Sequence, residues 1–192
     1  MLIRARQTLQ RFKRNTRGVA AVEFALIIPV MLAVYIGSIE ASTLITMDRK
    51  VQTVASTVGD LVSRAEELEA SRMEEFFLAA TGIMTPYDAS PIRQTVTVVH
   101  IDEFGNPIVD KSVQYENATY SPTSSYAVGN SYPLPQEMVD IANTAPGTNT
   151  VIIAEVSYAY TPLFGIFFNQ PVNLYRSSFF LPRFGGTVKI KD

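Results

Sequence analysis

Cysteine and tryptophan are absent from the 192 residues, and histidine occurs once, as His100. The absence of cysteine excludes disulfides, thiolate metal sites and a cysteine nucleophile. A single histidine in a predicted strand is typical of a structural residue, since it forms neither a two-histidine metal site nor a recognisable catalytic triad. The sequence also lacks a Walker A motif, a dinucleotide fingerprint, an EF-hand loop and a G-x-S-x-G elbow. We therefore expect a protein that is not an enzyme and has no cofactor or bound metal.

Charge is scarce, at 18% of residues, and it is unevenly distributed. Residues 1–17 contain six basic side chains and no acidic one: Arg4, Arg6, Arg11, Lys13, Arg14 and Arg17. The remainder therefore carries ten basic and eighteen acidic side chains. A short basic segment before an apolar run is typical of the cytoplasmic flank of a membrane helix. We interpret it as a topology signal that contacts anionic lipid, and not as a nucleic-acid-binding segment.

The longest apolar run follows at Val19–Ile39, with Glu23 as its one charged residue. As a helix, this run would span about 30 Å, the thickness of a bilayer's hydrocarbon core. A cleaved secretory signal would have a shorter apolar core followed by a small-x-small motif. A buried core helix would not need a basic leader. The pattern therefore favours a membrane anchor, with residues 1–18 as a cytoplasmic leader and residues 19–41 as the transmembrane helix.

Residues 17–40 read RGVAAVEFALIIPVMLAVYIGSIE. Gly18 directly precedes the apolar run, and Glu23 lies within the run, five residues after Gly18. This arrangement resembles the type IV prepilin processing signal. The amino-acid sequence, with its AVEFAL segment and a proline, resembles still more closely the N-terminal sequences of the TadE/TadG-like family. These are the pilin-like proteins of the Tad (tight adherence) pilus apparatus. The resemblance implies a pilin-like fold and a part in pilus assembly.

The resemblance also implies roles for individual residues. A prepilin peptidase would cut between Gly18 and Val19, and Glu23 would pair with the new amine of a neighbouring subunit. Glu23, Phe24 and Pro29 are assigned to subunit assembly. Pro29 would either loosen the first helix or merely kink it, and the sequence does not separate these alternatives. The implied partners are the prepilin peptidase, other pilin-like subunits, the inner-membrane platform of the pilus and the lipid bilayer.

The helical pattern continues beyond the predicted membrane segment and predicts an amphipathic helix over residues 42–81. Apolar residues recur at alternating spacings of three and four, at Leu44, Met47, Val51, Val54, Val58, Leu61, Ala65 and Leu68. Gly82 and Pro86 then end the pattern. The stripe could form a coiled coil with another subunit. We prefer packing on its own domain, because that is the commoner use of an apolar stripe.

Residues 92–192 are predicted to form an α+β head. A hairpin is expected from Ile92–Ile101 and Ile108–Tyr115, and Val151–Tyr160 and Val172–Leu181 are expected as partner strands. Residues 116–149 are predicted as a long connection with one helical turn near 136–142. The apolar loop 163–168 would fold back on the head, touch the membrane or dock on a partner.

The sequence thus predicts an α+β, pilin-like fold in which a long N-terminal helix packs on a mostly antiparallel β head. The expected function is that of a minor pilin or pseudopilin of a Tad-type pilus, in the bacterial inner membrane with a periplasmic head. The alternatives are an uncleaved, bitopic scaffold protein of an envelope complex and, less in keeping with the motifs, a secreted enzyme.

Overall fold

The computed structural model describes residues 18–145, 148–165, 169–184 and 186–191. Apart from Gly18, the predicted basic leader lies outside the described residues. The chain divides into two compact units, Met1–Ser42 and Thr43–Asp192. The helices are α1 (Val19–Ser63), α2 (Ala70–Thr81) and α3 (Gln136–Thr144). The strands are β1 (Glu67–Leu68), β2 (Ile92–Ile101), β3 (Pro107–Glu116), β4 (Thr119–Ser121), β5 (Thr150–Tyr160), β6 (Val172–Phe180) and β7 (Lys189–Ile190).

The prediction of one continuous helix through residue 81 is wrong, because α1 ends at Ser63 and α2 begins only at Ala70. Non-local hydrogen bonds account for the break. The Ser63 carbonyl accepts a hydrogen bond from the Arg183 N–H, at 2.8 Å. Four residues further on, β1 pairs in parallel with β7. Pairing with the C-terminal segment thus overrides an apolar spacing that would otherwise continue the helix.

A five-stranded antiparallel sheet, in the order β4-β3-β2-β5-β6, forms the centre of the second unit. It contains the predicted hairpin and the two predicted partner strands, and the α+β fold class is confirmed. A bulge interrupts the hairpin, since Val98 pairs with Lys111 while Val99 pairs with Val109. The bulge leaves Asp110 as an extra residue on β3 and turns Val109 to the opposite face of the sheet.

The first face of the sheet is covered by α2 and by the part of α1 that belongs to the second unit. Six side chains of α1 are buried in this layer: Met47, Val51, Val54, Ala55, Val58 and Val62. They pack with strand residues that include Val96, Val113, Ile152 and Ala154. The apolar stripe therefore packs on its own domain, as preferred above.

The second face is covered at one end by α3 and by Tyr132, which pack on a separate cluster of Val99, Ile101, Val109, Val151 and Ile153. The connection between β3 and β5 is more ordered than predicted, since it contains β4 and a nine-residue helix. Val139 and Ala142, one helical turn apart, are buried here. Their burial on the sheet stabilises α3 as a full helix, where the sequence predicts one helical turn.

In the apolar loop after β5, the side chains of Leu163 and Phe164 are exposed to different extents, at 69% and 48%. The three alternatives for the loop stay predictions. The rest of its apolar residues, 166–168, lie outside the described part of the chain.

Candidate functional site

The first half of α1 presents an uncovered apolar surface. Phe24 is 67% and Leu26 70% exposed, and none of an 18-residue apolar window near the N-terminus is buried. Length and composition make this helix able to cross a membrane. A core helix of the same chain would be buried, so its exposure argues against that alternative.

Glu23 lies one helical turn after Val19, the first residue of α1. Side chains on a helix point back towards its N-terminus, so the Glu23 carboxylate is directed at the turn that contains Val19. Glu23 is exposed, and among the described residues no cation forms an ion pair with it. The arrangement leaves a single negative charge on an apolar surface, next to the predicted processing site.

Gly18 precedes α1 and is exposed. A Cβ added at Gly18 would meet nothing within 4 Å, and its backbone does not adopt the left-handed conformation that requires glycine. The fold of the described residues therefore gives no reason for glycine at this position. A requirement for glycine would have to come from a molecule that binds here.

The three residues assigned to assembly do not share one face of α1. Successive helical residues are about 100° apart, so Phe24 points about 100° away from Glu23 and Pro29 about 120° away on the other side. The helix continues through Pro29, which removes one hydrogen bond to the carbonyl of Ala25. The structure thus distributes these residues around the helix, and a partner that touches all three must surround it.

A second polar site on the head was not predicted. Glu155 on β5 is only 7% exposed, and its Oε1 atom accepts hydrogen bonds from the hydroxyls of Tyr126, at 3.0 Å, and Tyr175, at 2.5 Å. Burial and then the charge of Glu155 raise the pKa of Tyr126, and burial and then the hydrogen bond to Glu155 raise that of Tyr175. One sequence signal was available, since Glu155 is the sole charged residue of β5.

The Nδ1 atom of His100 lies 2.5 Å from Asp110 Oδ1, on the bulged neighbouring strand. Within the described ranges, no group of three potential ligands that could hold a metal ion occurs. The pair joins two strands, in keeping with a structural histidine.

Comparison with known proteins gives one family match, and it covers most of α1. No curated protein sequence matches this chain significantly, and no solved structure does. Residues 18–60 match the model of a family described as TadE-like protein. The matched range begins at Gly18 and ends in the last turn of α1. The resemblance inferred from AVEFAL and its flanking residues is thereby confirmed, and residues 18–60 are similar to the TadE-like family.

Proposed function

We propose that this protein is a minor pilin or pseudopilin that takes part in assembling a Tad-type pilus. Residues 19–41 hold it in the inner membrane, with the leader in the cytoplasm and the Thr43–Asp192 unit in the periplasm. The observation that carries the proposal is the uncovered apolar segment with one carboxylate beside Val19, within the range similar to TadE-like proteins.

The position of Glu23 gives a physical reason for assembly. A carboxylate within hydrocarbon costs on the order of a few kcal/mol. Cleavage between Gly18 and Val19 would create an ammonium group one helical turn before Glu23, and that charge is also costly within hydrocarbon. Pairing the Glu23 carboxylate with the Val19 amine of an adjacent subunit offsets both costs in the low dielectric. The chain then associates with processed neighbours in preference to remaining alone in lipid.

The processing step is tested with Gly18→Val, in membranes that contain a prepilin peptidase. We expect the wild-type chain to begin at Val19 and the variant to keep its leader, as measured by intact mass. Gly82→Val is the matched control, because a Cβ at Gly82 also meets nothing within 4 Å. Cleavage of the Gly18 variant at the same bond would show that the site is wrong. A wild-type chain that still begins at Met1 would favour the uncleaved scaffold.

The assembly role is tested with Glu23→Gln, which keeps the shape of the side chain and removes its charge. We expect normal membrane insertion and cleavage, but loss of the subunit from sheared pilus fractions or from cross-linked complexes in the membrane. Val22→Ala, on the adjacent exposed position, is the control. Unchanged incorporation of the Glu23 variant would contradict the pairing.

A further inference from the structure

We propose that a polar pocket on the second face of the sheet binds the guanidinium group of an arginine side chain from a partner protein. The pocket, here the Glu155 pocket, has a volume of about 410 Å³. Its lining includes Arg93, Thr95, Glu116, Tyr126, Glu155 and Tyr175. The inference concerns the Thr43–Asp192 unit, and it does not depend on cleavage or on pilus assembly.

The pocket lies where the second face of the sheet is left open. The cluster under α3 covers this face near Val99 and Ile153. Glu155 is on the same face two residues further along β5, and Thr95 is its pairing partner on β2. The site is therefore a concave part of the sheet surface, open to a side chain that enters from outside.

Glu155 is buried, but only one of its two carboxylate oxygens accepts hydrogen bonds from described residues. Its Oε1 atom accepts hydrogen bonds from two tyrosine hydroxyls, whereas its Oε2 atom is buried and has no hydrogen-bond partner among the residues that the structure describes. A buried carboxylate oxygen without a partner is destabilising, because the water that it lost has not been replaced. Such atoms are rare in folded proteins, and each calls for an explanation. A ligand that donates a hydrogen bond to Oε2 would provide one.

The charge of Glu155 is not balanced within the pocket. Arg93 is the one cation among the described lining residues, and its Nε and Nη2 atoms both donate to Glu116 Oε1, at 2.8 and 2.7 Å. Gln114 donates to the other Glu116 oxygen, at 3.0 Å. Glu116 is thus neutralised and hydrogen-bonded, while the negative charge of Glu155 remains for a cation to compensate.

The surroundings of Glu155 favour guanidinium over other cations. Guanidinium is planar and donates several hydrogen bonds in a fixed geometry that suits a carboxylate. It also stacks on aromatic rings and is less strongly hydrated than ammonium, so entering a partly buried site costs it less. Tyr126 and Tyr175, whose hydroxyls both donate to Glu155 Oε1, provide aromatic rings in the lining of the pocket.

The edge strand β6 determines how a ligand reaches the Glu155 pocket, and it is also the reason for proposing a protein segment as the partner. Tyr175 lines the pocket, is 54% exposed and lies on this edge strand, so the pocket borders solvent beside β6. In the described sheet β6 pairs only with β5, and its outer edge is unpaired. An extended segment that pairs along such an edge projects alternate side chains over one face of the sheet. An arginine at one of those positions would lie over the Glu155 pocket.

The binding test uses the full chain in detergent micelles, with tyrosine rings labelled for NMR. N-acetyl-arginine amide is the probe, and N-acetyl-citrulline amide is its uncharged counterpart. We expect saturable shifts of Tyr126 and Tyr175 with the arginine compound and not with the citrulline compound. Glu155→Gln should weaken the arginine response at least tenfold, while Glu137→Gln, at an exposed position on α3, should leave it unchanged. An equal response of the Glu155 variant would overturn the proposal.

Two further arms separate binding from folding and identify the source of the guanidinium. Tyr175→Phe keeps the ring and the carboxylate but removes one hydrogen bond to Oε1, so it should bind the arginine compound at least as tightly as the wild type. Loss of binding in this variant, with near-ultraviolet circular dichroism unchanged, would overturn the site. A capped peptide of extended residues around one arginine should bind at least tenfold more tightly than the single amino acid. Equal affinity of the two would refute a protein segment as the partner.

Discussion

Gly59 lies where α1 packs directly against Phe180 and Ala154 of the sheet, and Gly59→Ala is expected to destabilise the Thr43–Asp192 unit. A Cβ at this position would lie 2.5 Å from Phe180 Cδ2 and 3.2 Å from the Ala154 Cβ. Ordinary contacts of a Cβ atom begin near 3.4 Å. The added methyl group therefore overlaps the Phe180 ring, and either the ring or the helix must move.

The net effect is the difference between two opposing contributions. Overpacking of this kind typically costs about 1–3 kcal/mol. Replacing glycine by alanine inside a helix contributes about 1 kcal/mol in the opposite direction. We expect Gly59→Ala to lower the free energy of unfolding by about 1 kcal/mol.

The decisive measurement repeats the substitution in a Phe180→Ala background, where the overlap with the ring is gone. There only the 3.2 Å approach to the Ala154 Cβ opposes the helix contribution, so Gly59→Ala should raise the free energy of unfolding by about 0.5–1 kcal/mol. The sign of the effect thus reverses, and the coupling between the two sites is about 2 kcal/mol. Urea unfolding of the full chain in detergent, followed by the near-ultraviolet circular dichroism of its tyrosines, measures the wild type and the three variants of the cycle.

The control for this cycle is Gly82→Ala, because Gly82 has helical backbone angles and open space around it. It should be stabilising by about 0.4–1 kcal/mol in both backgrounds. The packing argument is refuted if Gly59→Ala is as stabilising as the control in the wild-type background, or if its effect does not depend on Phe180.

Two further predictions concern ionisable groups of the same unit. The hydrogen bond and charge of Arg64, with the charge of Arg183, hold the pKa of Asp60 below its usual 3.8. A carboxyl group whose pKa is lower in the folded state than in the unfolded state stabilises the fold at pH values above the unfolded-state pKa. Asp60→Asn should therefore lower the free energy of unfolding near pH 7. In unfolding measurements at decreasing pH, the difference from the wild type should shrink below about pH 3.8. Burial first, and then the hydrogen bond and charge of Glu155, raise the pKa of Tyr175. Glu155→Gln should therefore shift tyrosinate formation, followed by ultraviolet difference absorbance, to lower pH; an unchanged titration would contradict this contact.

The hairpin was predictable because its signals are local. Strand-type residues alternate on both sides of a turn, and the turn is built from its own side chains. The Asp102 carboxylate accepts the backbone N–H groups of Phe104 and Asn106. Gly105 has a φ of +83°, a conformation that favours glycine. Every interaction that forms this turn lies within a few residues, so the sequence contains the whole pattern.

The end of α1 and the Glu155 pocket were not predictable for the opposite reason. The apolar spacing runs on past Ser63, but the backbone there bonds with Arg183, which lies far along the chain. Glu155 lies in the strand predicted at Val151–Tyr160, yet nothing near it in the sequence identifies Tyr126 or Tyr175 as its partners. Contacts between distant segments decide both features, and one sequence contains no local signal for them.

The part of α1 before Thr43, its first half, and the part from Thr43 to Ser63, its second half, also differ in how much apolar surface they expose to other molecules. Met47, Val51 and Val58 are fully covered by the sheet and α2, so the stripe of the second half cannot form a coiled coil with another subunit without unfolding the head. Among the described residues of α1, the large uncovered apolar area belongs to the first half, around Phe24 and Leu26. Water is a poor solvent for such a surface. If the proposed function holds, contacts of α1 with lipid or with other subunits fall in the first half, next to Glu23, and substitutions there should alter membrane location or assembly while leaving the unfolding of the Thr43–Asp192 unit unchanged.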